Sequence, residues 1–340
     1  MSVIFAAVLR HLRLLAALLV GCTALVATPA LAWWNQDWAY RKQVTVDTTA
    51  SGVNVNGAIG RTVVLVRLHS GNFTFTEALE NGADLRVVDA DDKTPLPFHI
   101  ESYNAKDGIA TLWVSVPALN GGEKKQLWLY FGNANAEAGA DVAGTFDPDY
   151  MAVLHFSENP GQPAADATAN GNGATPPVPG VADAGIVGRA ARFPGQGAIT
   201  IASAPSLAIA AGSAFSFTAW VKPEQLAGNA AIMASGPLVI GLNNGTPYVN
   251  AAGVTAQAAG AVKQGEWSHL GVVADGAPIK IFINGIEAAS AAGALPAINA
   301  PVALGGAISL PFTGELDEVR LSRVARPATM LLAMANADGP

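Results

Sequence analysis

Three acidic residues stand close together near the C-terminal end of the chain and could support acid–base chemistry. They are Glu315, Asp317 and Glu318, within a predicted strand from Gly314 to Ser322. Side chains alternate along a strand, so Glu315 and Asp317 are expected on one face and Glu318 on the opposite face. Retaining glycoside hydrolysis needs two carboxyl groups about 5–5.5 Å apart, which Glu315 and Asp317 could provide. The alternative is structural, with Asp317 accepting hydrogen bonds from the backbone of a neighbouring loop.

Histidine and serine residues do not form a hydrolase pattern. The five histidines are His11, His69, His99, His155 and His269, and no G-x-S-x-G motif lies near them. The sequence also has no glycine-rich phosphate loop followed by Lys and Ser or Thr. His155 and His269 are therefore expected to be packed or exposed strand residues rather than catalytic bases.

Composition excludes several classes of protein. The 340 residues carry a net charge of −7, only 13% are charged and 51% are hydrophobic, whereas soluble domains average about 25% charged residues. An acidic chain without a Lys/Arg cluster is not expected to bind nucleic acid. The single cysteine, Cys22, excludes a disulfide framework and a cysteine-based zinc site.

Residues 1–32 have the pattern of a secretory signal peptide. Basic residues precede the apolar run Leu14–Val20, and the segment ends in the small-residue site Ala30–Ala32. Two alternatives are a lipoprotein box ending at Cys22, which would leave a lipidated cysteine, and an uncleaved anchor. We predict a cleaved signal and export to the periplasm or outer envelope.

The remaining chain has the alternation of β-strands. In the segment from Ile109 to Val116, one face carries Ala110, Leu112, Val114 and Val116, and the other carries Thr111, Trp113 and Ser115. Asn284-Gly285 between two alternating runs predicts a hairpin. Only residues 328–335 have a helical pattern, and small polar residues interrupt the strands between 132 and 145. We therefore predict an all-β protein with two β-sandwich domains, residues 33–145 and 146–340.

Four segments of the second half occur in a characteristic order: Phe215–Pro223, Trp267–Leu270, Ile281–Gly285 and Gly314–Ser322. On these segments, the second half resembles the laminin G-like, concanavalin A-like jelly roll of many bacterial surface proteins. The resemblance covers about residues 150–335. This fold also includes retaining glucanases, which have acidic residues at positions i, i+2 and i+4 of one strand. Here Glu315 and Asp317 occupy i and i+2, but position i+4 is Val319. The resemblance therefore favours a protein that is not an enzyme.

The first half carries the segments Trp33–Trp38, Asp84–Arg86, Leu112–Val114 and Leu129–Asn133. On these it resembles a domain of unknown function that often precedes this jelly roll. In proteobacteria the pair commonly forms the periplasmic head of proteins with an ExbB/TolQ/MotA-like proton channel. The channel portion is not in this sequence, so we expect a separate channel subunit, a truncated product or a head that acts alone.

The resemblance to the laminin G-like jelly roll also implies two ligand sites. Such domains often hold calcium with Asp and Asn oxygens, and Asp166, Asn170 and Asn172 share one loop that could do so. The alternative is an Asx-rich loop that bonds its own backbone. Carbohydrate binding is common in the family, and the candidates here are Asn243, Asn244 and Tyr248.

From the sequence we predict an exported recognition module that binds an envelope glycan or an envelope protein without turnover. The resemblance suggests that it could be the head of an ExbB/TolQ/MotA-type complex. The alternatives are a secreted glycan hydrolase of the concanavalin A-like fold and a structural adhesion module.

Overall fold

The computed structural model describes residues 33–339. The predicted signal peptide of residues 1–32 and the lipidation alternative at Cys22 lie outside the described residues. Residues 33–36 contain a bend and no helix or strand, and the chain from Asp37 onward forms one unit. None of the helices in the described part of the chain has the length and apolarity needed to span a bilayer.

Two antiparallel sheets form the first sandwich. The four-stranded sheet has the order β1 (Tyr40–Asp47), β7 (Lys124–Phe131), β3 (Arg86–Asp89) and β4 (Pro95–Leu96). The three-stranded sheet has the order β2 (Ala58–His69), β6 (Ile109–Asn120) and β5 (Phe98–Asn104). A 3-10 helix, Phe75–Glu77, follows β2, and the short helix α1, Val142–Thr145, follows β7.

Strand β6 has one face in the core of the first sandwich and the other face against the second sandwich. The core face carries Ala110, Leu112, Val114 and Val116, as the alternation predicted. On the other face Trp113 is fully buried in a cluster with Tyr150, Val153 and Val187. Because these partners belong to the second half of the chain, the two sandwiches share a packed junction.

The second sandwich pairs an eight-stranded sheet with a seven-stranded sheet. The first has the order β10 (Gly180–Ala182), β11 (Ala190–Pro194), β24 (Thr313–Ser322), β13 (Phe215–Pro223), β18 (Ser268–Ala274), β19 (Ile279–Ile283) and β20 (Ile286–Ala291), with β8 (Tyr150–Leu154) also paired to β24. The second has the order β17 (Val254–Gln257), β16 (Thr246–Ala251), β15 (Leu238–Asn243), β14 (Asn229–Ser235), β21 (Val302–Leu304), β12 (Ile199–Ile201) and β9 (Ala174–Thr175). A 3-10 helix, Pro205–Leu207, follows β12, and strands β22 (Gly306–Ala307) and β23 (Leu310–Pro311) form a separate pair.

The core of the second sandwich lies between these two sheets. The eight-stranded sheet contributes one face of β13, namely Phe215, Phe217, Ala219 and Val221, and the seven-stranded sheet contributes Leu238, Ile240 and Leu242. Asn284 and Gly285, with φ of 50° and 77°, form the predicted turn between β19 and β20. The predicted all-β class with two sandwiches is confirmed.

The C-terminal helix α2, Ala328–Asp338, contacts both sandwiches. Leu331 is fully buried against Val273 and Phe282 on the outer face of the eight-stranded sheet. Met330 and Met334 join the core of the first sandwich. The helix therefore extends the junction, and the predicted domain boundary near residue 145 stays a prediction.

We expect Leu331→Ala to lower the free energy of unfolding by about 2–5 kcal/mol, the usual cost of such a cavity. Ile308→Ala is the control, because Ile308 is 97% exposed, and it should change stability by less than about 0.5 kcal/mol. Urea denaturation followed by circular dichroism measures both. Equal stability of the two variants would contradict the buried position of the helix.

His269 is buried on β18, with its ring centroid 5.3 Å from that of Trp220. Burial, together with the charge of Arg320, lowers the pKa of His269 to about 3. The unfolded chain then binds a proton that the folded chain excludes, because an exposed histidine titrates near pH 6.5. The stabilising effect of neutral His269 is fully present above pH 6.5 and is lost as the pH falls from 6.5 toward 3.

We therefore expect the unfolding free energy to fall with acidification more steeply in the natural protein than in His269→Gln. The difference in slope should approach about 1.4 kcal/mol per pH unit, which corresponds to one proton. Urea midpoints at several pH values between 7 and 4.5 measure it. Identical slopes would show that His269 does not titrate on unfolding.

Candidate functional site

A groove on the outer face of the seven-stranded sheet is the candidate ligand site. It has a volume of about 610 Å³, within the range of small-molecule sites. Its lining residues are Asn229, Val239, Asn243, Tyr248, Val249, Asn250, Thr255, Ala256, Gln257 and Leu310. Strands β14 to β17 provide all of these residues except Leu310, which belongs to β23.

The antiparallel register fixes the positions of the polar groups. Asn229 is paired with Asn243 across β14 and β15, and Tyr248 is paired with Gln257 across β16 and β17. Paired residues point to the same face of a sheet, so these side chains share the outer face. The opposite face of β15 is apolar and buried in the core, which holds the outer face in place.

Tyr248 lies opposite Gly241 on the neighbouring strand β15. A Cβ atom on Gly241 would lie 3.0 Å from Tyr248 Cε1 and 2.1 Å from the Ala230 carbonyl oxygen. The tyrosine ring therefore lies over the bare backbone of Gly241, where a larger residue would clash. Burial raises the pKa of the Tyr248 hydroxyl, so the hydroxyl stays protonated.

The groove combines one aromatic ring with several uncharged hydrogen-bonding side chains. Asn229, Asn250, Thr255 and Gln257 are exposed, and Asn243 and Tyr248 are half-buried. Amide groups both donate and accept hydrogen bonds. Among the described residues that line the groove, none is charged. This arrangement can bind a ligand that presents an apolar face to the ring and hydroxyl groups to the amides.

The structure separates the three predicted ligand residues. Asn243 and Tyr248 line the groove, whereas Asn244 forms the tight turn between β15 and β16 with a φ of 49°. The Asn244 Oδ1 accepts a hydrogen bond from the Gly228 backbone N–H at 2.9 Å, which ties this turn to the β13–β14 loop. The ligand role of all three stays a prediction.

Sequence reasoning missed four polar groove residues, Asn229, Asn250, Thr255 and Gln257. The i, i+2 spacing of Tyr248 and Asn250 was a usable signal, because it places both on one face of a strand. Asn229 and Gln257 come to the groove only through the pairing of β14 with β15 and of β16 with β17.

The predicted calcium loop is held by hydrogen bonds to its own backbone and to β8. Asp166 Oδ1 accepts from the backbone N–H groups of Val153 and Thr168, and Oδ2 accepts from the Thr168 hydroxyl and the Asn172 N–H. The Asn170 and Asn172 amide groups both donate to the Met151 carbonyl oxygen, at 3.2 and 2.7 Å. These contacts have the form of an Asx-rich structural loop, and calcium at this loop stays a prediction.

If calcium binds this loop, we expect EDTA to lower the melting temperature and Ca²⁺ to restore it, because Ca²⁺ that binds only the folded state stabilises it. Mg²⁺ should not restore it, since that ion requires a smaller, near-octahedral site. Differential scanning fluorimetry measures the shift. A melting temperature that is insensitive to EDTA would remove calcium from this loop.

The acidic residues of β24 occupy the outer face of the other, eight-stranded sheet. Glu315 pairs with Lys222 at 3.2 Å. Asp317 is fully buried, and its carboxylate accepts from the backbone N–H groups of Ile186, Val187 and Glu318. Burial raises the pKa of Asp317.

Glu318 does not point away from Asp317, so this part of the sequence analysis was wrong. The pairing of β13 and β24 shifts register between Thr218 and Trp220, and Glu318 adopts a φ of 49°. This bulge inserts one extra residue into β24, and a bulge changes the direction of a side chain. Glu318 therefore reaches His155 and Arg320 rather than the core.

Comparison with known families places both halves of the chain. Residues 193–330 match the concanavalin A-like lectin/glucanases superfamily, and residues 81–168 match a domain of unknown function, DUF2341. These matches, each over less than half of the chain, support the resemblances to a concanavalin A-like jelly roll and to a domain of unknown function. Neither match supports the relation to ExbB/TolQ/MotA-type channel proteins.

Several solved structures are similar to parts of the chain at low identity. One is domain 4 of AbnA, a GH43 extracellular arabinanase from Geobacillus stearothermophilus, solved in complex with arabinotriose. Its TM-score is 0.44 and its identity is 22%, and the match covers 55% of this chain and 98% of that domain. Trypanosoma rangeli sialidase has a TM-score of 0.45 and 14% identity over 74% of this chain and 44% of the sialidase. A search of curated proteins returned no match.

Proposed function

We propose that the protein is a non-catalytic recognition module that binds an uncharged glycan in the groove of the seven-stranded sheet. The observation that carries this proposal is the Tyr248 ring lying over Gly241 among side-chain amides. A sugar ring has one apolar C–H face and a rim of hydroxyl groups. The Tyr248 ring can stack on the apolar face, and the side-chain amides of Asn229, Asn243 and Gln257 can hydrogen-bond to the hydroxyl groups.

The groove favours a neutral sugar over an acidic one. Recognition of carboxylate, sulfate or phosphate groups in proteins relies strongly on Arg and Lys, and the described lining residues include neither. Unsubstituted hexoses and pentoses need only neutral donors and acceptors, which amides supply. A short neutral oligosaccharide is therefore the ligand class that fits the groove.

The arrangement of acidic residues supports binding without turnover. Glycoside hydrolysis generally needs a pair of carboxyl groups at the bound sugar, and no Asp or Glu is among the described residues that line the groove. Glu315 and Asp317 belong to the other sheet and bond to Lys222 and to backbone N–H groups. A hydrolase would need a different site from the one proposed.

Export to the periplasm or outer envelope belongs to this proposal and rests on the sequence of residues 1–32. An envelope glycan is then the natural ligand, and an envelope protein is the alternative partner. Association with an ExbB/TolQ/MotA-type subunit rests only on the sequence resemblance. Co-purification of the full chain from solubilised envelopes would test it.

We expect Tyr248→Ala to abolish binding to a neutral glycan and Tyr248→Phe to retain most of it, since phenylalanine keeps the ring. An array of neutral and acidic oligosaccharides first identifies a binder, and isothermal titration then gives its affinity. Tyr40→Ala is the matched control, because Tyr40 is a 41% exposed tyrosine of the first sandwich. It should bind like the natural protein.

Three outcomes would overturn the proposal: binding only to acidic glycans, unchanged binding by Tyr248→Ala, or release of sugar from a bound oligosaccharide. The third outcome, lost in Glu315→Gln, would establish the hydrolase instead.

A further inference from the structure

A group of polar side chains is buried at the junction of the two sandwiches. Glu101 comes from β5 of the first sandwich, His155 follows β8, and Glu318 and Arg320 belong to β24. His155, Glu318 and Arg320 are each 5% exposed or less. We call Glu101, His155 and Glu318 the junction triad.

Contacts with neighbouring side chains orient all three residues of the triad. His155 Nδ1 lies 2.6 Å from Glu318 Oε1, and Arg320 Nη2 donates to Glu318 Oε2 at 2.8 Å. The Trp113 ring stacks on His155 with centroids 5.4 Å apart, and its Nε1–H donates to Glu101 Oε2 at 2.7 Å. Every triad residue is thus oriented by a neighbour from the same junction.

Two polar atoms of the triad have no hydrogen-bond partner among residues 33–339. They are His155 Nε2 and Glu101 Oε1, and both atoms are buried. In the neutral form of His155 whose Nδ1–H donates a hydrogen bond to Glu318, Nε2 carries a lone pair and is an acceptor, as is the Glu101 oxygen. A buried acceptor without a donor costs about 1–3 kcal/mol, so a cation or a donor placed at these two atoms would stabilise the junction.

The balance of charge leads to the same conclusion. Arg320 is shared between Glu318 at 2.8 Å and Asp338 at 3.7 Å. Asp317 is satisfied by three backbone N–H groups. Within the described part of the chain, Glu101 forms no ion pair within 4 Å. In the described structure the Glu101 carboxylate therefore lies near Glu318 without an ion-pair partner of its own.

We propose that Glu101, His155 and Glu318 bind a divalent transition-metal ion of the zinc type. One ring nitrogen of His155 and one carboxylate oxygen of each glutamate lie within 4.8 Å of one another. Zinc binds histidine nitrogen at about 2.0–2.1 Å and carboxylate oxygen at about 2.0–2.2 Å. The three atoms would have to move closer together to reach that distance from one ion.

The donor set selects the type of metal. A neutral imidazole suits zinc, copper or nickel, whereas Ca²⁺ and Mg²⁺ prefer sites made only of oxygen. The ion would bind the lone pair of His155 Nε2, while Nδ1 keeps the proton that it shares in the hydrogen bond to Glu318, so the neutral imidazole loses no proton. The metal would then join β5 of the first sandwich to β8 and β24 of the second.

The test uses the full mature chain after dialysis against EDTA. We expect one equivalent of Zn²⁺ to bind in isothermal titration, with a rise in melting temperature and no displacement by excess Ca²⁺. Co²⁺ should give visible absorption bands of a four-coordinate site. Glu101→Gln keeps an oxygen for the Trp113 indole but loses the carboxylate charge, and should bind Zn²⁺ at least about tenfold more weakly.

Glu266→Gln is the control for adventitious binding, because this carboxylate is 61% exposed and far from the triad in sequence. It should bind Zn²⁺ like the natural protein. If the natural protein shows no saturable Zn²⁺ binding, the proposal is overturned. A proton held by the triad would then take the place proposed for the metal ion. Equal affinity of Glu101→Gln and the natural protein would also overturn the proposal. Neither result depends on glycan binding.

Discussion

The buried pair of Arg320 and Glu318 is the interaction on which the arrangement of the two sandwiches depends. Both side chains are 3% exposed or less, and the water that would otherwise solvate them is excluded by the first sandwich and by helix α2. A buried charge is tolerated only when it is paired and hydrogen-bonded. The junction supplies His155 to Glu318, Asp338 to Arg320, and the Trp113 ring, whose centroid is 4.7 Å from the Arg320 guanidinium carbon. Removing one half of the chain would expose this group and leave it incomplete.

A single local irregularity makes that pairing possible. Regular alternation would have directed Glu318 into the apolar core beside Leu316, where a carboxylate has no partner, and would have turned Val319 outward. The bulge opposite Ala219 turns Glu318 outward and leaves Val319 in the core. The positive φ that the bulge requires is unfavourable for a glutamate, and the contacts with His155 and Arg320 offset that cost. The loop at Ile186 and Val187 is then held by Asp317, so the bulge organises both the strand and the loop beside it.

The strand pattern, the Asn284-Gly285 hairpin and the two faces of β6 could be predicted from the sequence, because each depends on alternation or on turn chemistry within a few residues. The burial of Trp113 could not be predicted, because the residues of β6 alternate in the same way whether the face that carries Trp113 meets water or another domain. Tyr248 and Asn243 were found as candidates, whereas Asn229 and Gln257 reach the groove through pairing between strands. Glu101 lies more than fifty residues from His155, so no local pattern could connect them. The bulge at Glu318 did leave a signal, because two consecutive acidic residues, Asp317 and Glu318, interrupt the alternation between Leu316 and Val319, and the sequence analysis did not use it.

The two sheets of the second sandwich differ in what covers their outer faces, and this difference divides their roles. The outer face of the eight-stranded sheet carries Asp317, Glu318 and Arg320, which the first sandwich covers and whose charges are met by His155, by Asp338 of helix α2 and by the backbone of the loop at Ile186. The outer face of the seven-stranded sheet carries amides, threonines and one tyrosine, which are stable in water without a covering domain. A charged face needs a partner to be buried, whereas a neutral polar face can remain open to solvent and to a ligand. The apolar core between the sheets keeps these faces apart, so a ligand can enter the groove without disturbing the junction.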